Sequence, residues 1–281
     1  MSKSTFLFTN QIATAENLTA SSEALPVTNL VNPQRTRVWR STANTASISF
    51  SLTDIAGADY LALVDLNLTS TGVIRVRAWD DAVDGSMLTF DQYYDPVIFV
   101  SGSEADINYS GGDYGLGAFG LANSIASSSR KNVNLFPFGQ VVLSPFYKVD
   151  LIDENLTYIQ AGIMFLSKAR TYDINLAYNW NISQIDRSVS KESIAGQKYI
   201  QPRDTRLQIS GRFPALSETE RTDTIVDITE MGTTKPFIYS VFPENNNIGL
   251  TTTVYGSFSD SNLTNNFTNR NEFNFTVVED L

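Results

Sequence analysis

The chain has 281 residues, no cysteine and no histidine, and 30 acidic against 20 basic side chains, for a formal net charge of -10. Those counts exclude disulfides, thiolate chemistry and Cys-type zinc sites, and they remove the commonest metal ligand and general base. They also argue against nucleic acid as a partner, which needs a basic footprint.

In chain order, Phe6-Leu7-Phe8 opens as a short strand, and a polar lead-in runs to Leu25-Pro26-Val27. In NLVNPQRTRVWRS, Asn29 to Ser41, Asn32-Pro33 signals a turn and Val38-Trp39-Arg40 a strand entry. Ala46 to Leu52 alternates, with Ala46, Ile48, Phe50 and Leu52 on one face and Ser47, Ser49 and Ser51 on the other, the pattern of a half-buried strand. Ala58 to Leu68 is mostly apolar and reads as a central strand. Val73 to Trp79 alternates again, with Arg75 and Arg77 opposite Val76 and Ala78. The short turn Asn67 to Gly72 predicts that these two runs pair as neighbours in one antiparallel sheet. Asp80, Asp81 and Asp84, followed by Gly85, form an acidic turn that lacks the ligand spacing of a helix-loop-helix calcium site.

From Gln92 to Ala126 the chain turns loop-like, with Tyr93, Tyr94, Tyr109 and Tyr114 among Gly and Ser. Such aromatics can stack on a sugar ring, grip another protein or pack over the end of a sandwich. The Gly-rich piece Gly111 to Gly120 has no Lys-Ser/Thr and is a weak phosphate-loop candidate. Tyr147, Val149 and Leu151 alternate, Asp153-Glu154-Asn155 turns the chain, and Tyr158 to Ser167 closes the sandwich. A domain boundary is placed near Ser167-Lys168.

Arg170 to Arg212 is polar and aromatic-punctuated, with Tyr172, Tyr178, Trp180 and Tyr199 among Arg170, Arg187, Arg203, Arg206 and Arg212. Two readings fit that composition: edge strands with a solvated face, or an interface anchored by Tyr, Trp and Arg. Beyond it, Ser217 with Glu218 and Glu220 starts a helix, with Leu216, Ile225 and Ile228 as apolar contacts and Gly232 as its stop. Pro236 to Val241, Leu250 to Phe258 and Glu272 to Val278 supply strands. The expected fold is all-β, an N-terminal jelly-roll sandwich over 1–168 followed by a small mainly-β domain with one helix over 169–281.

Two blocks carry a resemblance to a known family. NLVNPQRTRVWRS with DYLALVDLNLTSTGVIRVRAWDD is similar to the discoidin-like jelly-roll of minor tail or baseplate proteins of long-tailed bacteriophages. YIQAGIMFLSKARTYDINLAYNWNISQIDRSVSKESIAGQKYIQPRDTRLQISG resembles that family's second block, with its Tyr/Trp-centred segment, Asp-Arg-Ser and Gly-Gln-x-Tyr. Ala161-Gly162-Ile163 departs from the family's Ile-Gly-Arg. The resemblance implies a homo-oligomeric ring in a phage tail tip, with tail tube, hub and tape measure as partners. It also implies an interface through Arg170, Tyr172, Tyr178, Trp180, Asp186, Arg187, Gln197, Tyr199, Arg203 and Arg206, and a protein located in the virion after assembly in the host cytoplasm.

The competing reading is a carbohydrate-binding adhesin that meets a host-surface glycan through Tyr93, Tyr94, Tyr109 and Tyr114. A glycoside hydrolase would need paired carboxylates across a cleft, and Asp150, Asp153 and Glu154 lie too close together in sequence for that. No enzyme, metal or cofactor is expected. No apolar run is long enough to span a bilayer, and MSKSTFLFTNQ is too weakly apolar for a signal peptide.

Overall fold

The computed structural model describes residues 3–54, 56–96, 133–192, 197–244, 247–267 and 270–280. Tyr109, Tyr114 and the glycine-rich run 111–120 lie outside the described residues. The chain opens with β1 (Thr5–Leu7) and continues through β2 (Glu16–Ala20), β3 (Trp39–Arg40), β4 (Thr45–Ser51), β5 (Ala58–Val64), β6 (Val73–Trp79) and β7 (Leu88–Tyr94). After the undescribed stretch come β8 (Val133–Val142), β9 (Phe146–Ile152), β10 (Gln160–Ala161) and β11 (Ile163–Ser167). An outer sheet in the order β2-β4-β9-β6-β7 faces an inner sheet β11-β5-β8. This is a two-sheet antiparallel sandwich of jelly-roll type.

The alternation in β4 sets which side faces in. Ala46, Ile48 and Phe50 are buried while Ser47, Ser49 and Ser51 stay half-exposed. Phe50 stacks on Tyr147 of β9 with ring centroids 5.5 Å apart. Val76 and Val149 from the outer sheet meet Leu61, Leu63, Met164 and Leu166 from the inner one in a single core.

The expected pairing of 58–68 with 73–79 is not what forms: β5 lies in the inner sheet and β6 in the outer sheet. The reason is polarity. β6 has a charged face, Arg75 and Arg77, and must border water, whereas β5 is apolar on both faces and must lie between two layers. The turn between them crosses from one sheet to the other and is fastened by buried Asp153, which accepts a hydrogen bond from the Thr69 amide at 2.6 Å.

The second domain contains β12 (Asn181–Ile185), the ribbon β13 (Val189–Glu192) and β14 (Lys198–Gln201), and β15 (Arg206–Leu216). Then come helix α1 (Glu218–Met231), β16 (Phe237–Ser240), a short helix α2 (Asn247–Thr252), β17 (Thr253–Phe267) and β18 (Arg270–Glu279). Its sheet runs β1-β16-β17-β18-β15-β12, so the first strand of the chain belongs to the second domain's sheet. Phe6 sits at the centre of an aromatic core, 4.4 Å from Tyr239 and 5.3 Å from Phe275 between ring centroids. Residues 5–8 therefore pack with 169–281, and the first sandwich begins after them.

Helix α1 starts as expected, with a reciprocal capping box between Ser217 and Glu220, and ends at Gly232, whose φ of 55° only a residue without Cβ adopts easily. Thr224, Ile228 and Met231 face the core. Ile225, expected there, lies one residue out of phase and is exposed.

A third apolar layer joins the two domains. Ala62, Val64, Leu135 and Phe165 on the far side of the inner sheet pack against Leu7, Ile238 and Tyr255 of the second sheet. Arg35, only 2% exposed, closes the edge of this layer. It donates to Asp65 at 3.0 Å, to Glu279 at 3.2 Å and to the Asp280 carbonyl at 2.8 Å. Tyr255 donates to the Pro33 carbonyl beside it at 3.2 Å.

Two substitutions test this arrangement by urea unfolding. Leu63→Ala should cost about 2–5 kcal/mol through the cavity it leaves. Arg35→Met should cost about 3–5 kcal/mol, because Asp65 and Glu279 lose their buried counter-charge. A loss below about 1 kcal/mol for Arg35→Met would show that the ion cluster is not what holds the domains together.

Candidate functional site

The outer sheet turns one face to the sandwich core and the other to water. Antiparallel register places the water-facing side chains in rows. One row runs Ser47, Asp150, Arg75, Tyr93, and the next runs Thr19, Ser49, Lys148, Arg77, Asp91. The charges in these rows are matched. Arg75 grips Asp91 through two bonds of 2.7 and 2.6 Å. Arg77 donates to Asp150 at 2.6 Å and to Asp84 at 3.2 Å, and Lys148 donates to Asp84 at 2.6 Å. The hydrogen bond from Arg75 holds the Asp91 carboxyl below the usual carboxylate range. The Arg75 guanidinium lies 4.9 Å above the Tyr93 ring, and that of Arg77 lies 5.2 Å from the Trp79 ring.

Beside this lattice, toward the β2 edge, the face sinks into an open groove of about 380 Å³ lined by Asn17, Thr19, Ser49, Ser51, Val83 and Phe146. Its shape comes from a bulge. β2 pairs Glu16 with Ser51 but Thr19 with Ser49, so one extra residue is inserted between them. Asn17 takes a φ of 52°, a left-handed conformation that Asn tolerates better than most residues. The bulge turns the Asn17 amide toward β4, where it donates to the Ser51 hydroxyl at 3.2 Å. The result is an amide and three hydroxyls arranged around a half-buried phenyl ring, with no charged side chain in the lining.

The acidic turn after β6 completes the groove's far wall through Val83. Asp81 accepts from the Ser86 and Met87 amides at 2.9 and 3.2 Å, and Asp84 is taken by Arg77 and Lys148. Among the described residues, no group of three or more His, Cys, Asp or Glu side chains could hold a metal ion. Asp150 is ion-paired, Asp153 is buried in its turn and Glu154 is exposed, so these three acids do not face each other across a cleft. The groove lining offers amide, hydroxyl and apolar side chains and no carboxylate. Among the described residues, no helix is long and apolar enough to cross a membrane.

The tyrosines singled out from sequence divide by face. Tyr93 projects outward and is 61% exposed. Tyr94, the next residue, points inward, packs on Phe136 and donates to the Pro137 carbonyl at 2.8 Å. Burial holds its phenol well above the ordinary tyrosine range.

The segment 170–212 also divides. Arg170 clamps helix α1 through Asp223 and Asp227, each at 2.8 Å. Tyr172 is buried, with its hydroxyl 3.0 Å from that of Thr224, and Trp180 packs edge-on to Phe242. Arg206 begins β15, opposite Ile185. These four serve the second domain's own fold. Tyr178 is 97% exposed at the turn before β12. Asp186, Arg187, Gln197, Tyr199 and Arg203 cluster around the exposed β13–β14 ribbon, where Asp186 accepts from the Ser188 amide and Tyr199 donates to Gln197. Nothing in the sequence singles out Thr19 or Phe146. The available signal was an Asn within the polar ENLTA, whose bulge only the paired structure reveals.

No protein-family model matches the chain, and no curated protein does. Its fold is similar to several solved structures. One is a family 32 carbohydrate-binding module of a family 31 glycoside hydrolase from Clostridium perfringens, at 11% identity and TM-score 0.38 over 57% of this chain and 95% of that one. Another is the family 32 module of C. perfringens NanJ in complex with galactose, at 9% identity and TM-score 0.37 over 59% and 98%. A third is the lectin domain of lectinolysin complexed with Lewis B antigen, at 14% identity and TM-score 0.35 over 58% and 99%. At these values the likeness concerns the fold alone.

These findings correct the family expectation. The three structures named above are carbohydrate-binding modules and a lectin domain and none is a tail or baseplate protein, so the tail-tip role, its ring and its tail-protein partners are not carried further. The blocks that suggested them have packing explanations. In NLVNPQRTRVWRS, Leu30, Arg35 and Trp39 are buried, and in the second block Tyr172 and Trp180 help fill the aromatic core.

A pair of single variants separates the two kinds of tyrosine. Tyr172→Ala should destabilise by about 3–5 kcal/mol, as loss of a buried ring does. Tyr178→Ala should stay within about 0.5 kcal/mol. Equal losses in thermal unfolding would contradict the placement of Tyr172 in the core.

Proposed function

We propose that the protein is a non-catalytic carbohydrate-binding protein whose ligand lies in the groove on the outer sheet. The observation that carries this reading is the groove's composition: Asn17, Thr19, Ser49 and Ser51 beside Phe146, with Val83 as a further apolar wall. A sugar ring has an apolar face of C–H groups and a rim of hydroxyls. It is held by a ring or aliphatic surface below and by amide and hydroxyl groups that both donate and accept at the rim. The adjacent cations are already engaged by Asp84, Asp91 and Asp150, which leaves hydrogen bonding and ring contact as the means of recognition.

An array of neutral and acidic oligosaccharides, followed by calorimetry on the bound members, tests the proposal. Losing a groove hydrogen bond or ring contact costs about 1–3 kcal/mol, so Asn17→Ala combined with Phe146→Ala should raise Kd by at least about tenfold. The β-rich circular dichroism should be unchanged. Absence of binding to every glycan, or binding that the double variant leaves intact, would overturn the assignment.

A further inference from the structure

The second domain carries another open groove, this one with polar and charged side chains in its lining. The six-stranded sheet buries most of its aromatic side, and only part of its other side is covered by the first sandwich. Across β12, β15, β18 and β17 the uncovered part sets Asn181, Ser210, Thr276 and Asp260 in one row by register. Arg212 and Asn274 pair in the next row. Together with Asn179 and Glu272 they line an open groove of about 410 Å³. Ser210 and Thr276 bring their hydroxyls to 3.1 Å, and Arg212 donates to Glu272 at 3.4 Å.

A solvated sheet face would account for polar side chains, but not for how Asp260 comes to be among them. Phe258 pairs with Val277 and faces the aromatic core. Side chains two apart on a strand share a face, so Asp260 would point into that core as well. The register shifts between Phe258 and Asp260, with Ser259 as the extra residue, and Asp260 then pairs with Thr276 on the opposite face. A bulge thus re-aims an acceptor into the groove, as the bulge at Asn17 re-aims an amide into the first. Arg212 adds a second observation: its Nε is buried and has no hydrogen-bond partner, although its Nη1 reaches Glu272.

We infer that this face is a second carbohydrate-binding groove, so that one chain holds two glycan sites on separate sheets. The ligand class follows from the lining: planar amide, guanidinium and carboxylate groups bridge neighbouring hydroxyls with paired hydrogen bonds. This inference shares with the preceding section the reading that the ligand is a glycan, but it concerns different residues. Two sites change behaviour on a glycan-coated surface, because the second engagement becomes intramolecular and raises retention by about 10² to 10⁴ over one site.

The probes are glucose-, galactose- and N-acetylglucosamine-terminated oligosaccharides, free and coupled to albumin. The full chain is compared with Asn17→Ala/Phe146→Ala and with Asn181→Ala/Asn274→Ala, each checked by circular dichroism and thermal unfolding. Asp260→Asn serves as a milder variant of the second groove. We expect calorimetry with the free probe to give two sites per wild-type chain and one in either double variant. Retention on the coupled probe should fall at least tenfold in each double variant. One site per chain, lost in Asn17→Ala/Phe146→Ala and unmoved in the second-groove variants, would overturn the second groove and leave the first. Binding lost only in the second-groove variants would keep this face as a glycan site but overturn the first groove and with it the two-site chain. No binding to any probe would overturn both.

Discussion

The inner sheet of the first sandwich is buried on both faces, and the rest of the molecule is arranged to satisfy that constraint. β5 directs Leu61 and Leu63 into the sandwich core and Ala62 and Val64 the other way. A strand of this kind needs a second apolar surface, because its far side would otherwise expose a continuous hydrophobic patch to water. The second domain provides that surface through Leu7, Ile238 and Tyr255. Leu7 comes from the chain's first strand, so the chain begins in the second domain's sheet and returns to it after residue 168. The antiparallel backbone pair between Phe6 and Arg170, at 3.0 and 2.8 Å, ties the departing and returning segments together.

Stacking the sheets this way leaves two polar faces open. Among the described residues, no layer covers the water-facing side of the outer sheet or the far half of the six-stranded sheet, and the exposed positions there carry Ser, Thr, Asn, Arg and Asp. On the outer sheet a register shift between β2 and β4 lies beside the first groove, and on the six-stranded sheet a shift between β17 and β18 lies beside the second. A bulge in an otherwise regular ladder leaves one residue unpaired, so its position beside each groove has a stability cost that ligand contact can offset. The ion lattice of Arg75, Arg77, Lys148, Asp84, Asp91 and Asp150 has a different role. It rigidifies the face next to the first groove while presenting little net charge.

Much of the fold was legible in residue order. The alternation of β4 and β6, the central character of β5, the capping box at Ser217 and the stop at Gly232 depend on local periodicity and turn chemistry, which a single sequence displays. The misassigned pairing of β5 with β6 came from treating a short connection as a hairpin, when polarity of the two strands places them in different sheets. The destination of Phe6 could not be read locally, because its partners lie more than 160 residues away. Less of the site was legible. The aromatic loop reading puts Tyr93 and Tyr94 together, although only Tyr93 faces outward, and Asn17 and Phe146 become neighbours only once β2, β4 and β9 pair. The Tyr, Trp and Arg content of 170–212 does not distinguish a ring that fills a core, such as Tyr172, from one at the surface, such as Tyr178.

The central claim is that the outer-sheet groove holds a sugar. Chemical-shift mapping on isotope-labelled protein, titrated with the tightest glycan found on the array, locates the contact without altering a residue. The account predicts that the largest shifts fall on the backbone amides of Asn17, Thr19, Ser49 and Ser51 and on the Asn17 side-chain amide. Shifts confined to residues outside both grooves, with the Asn17 side-chain amide unmoved at saturation, would contradict it.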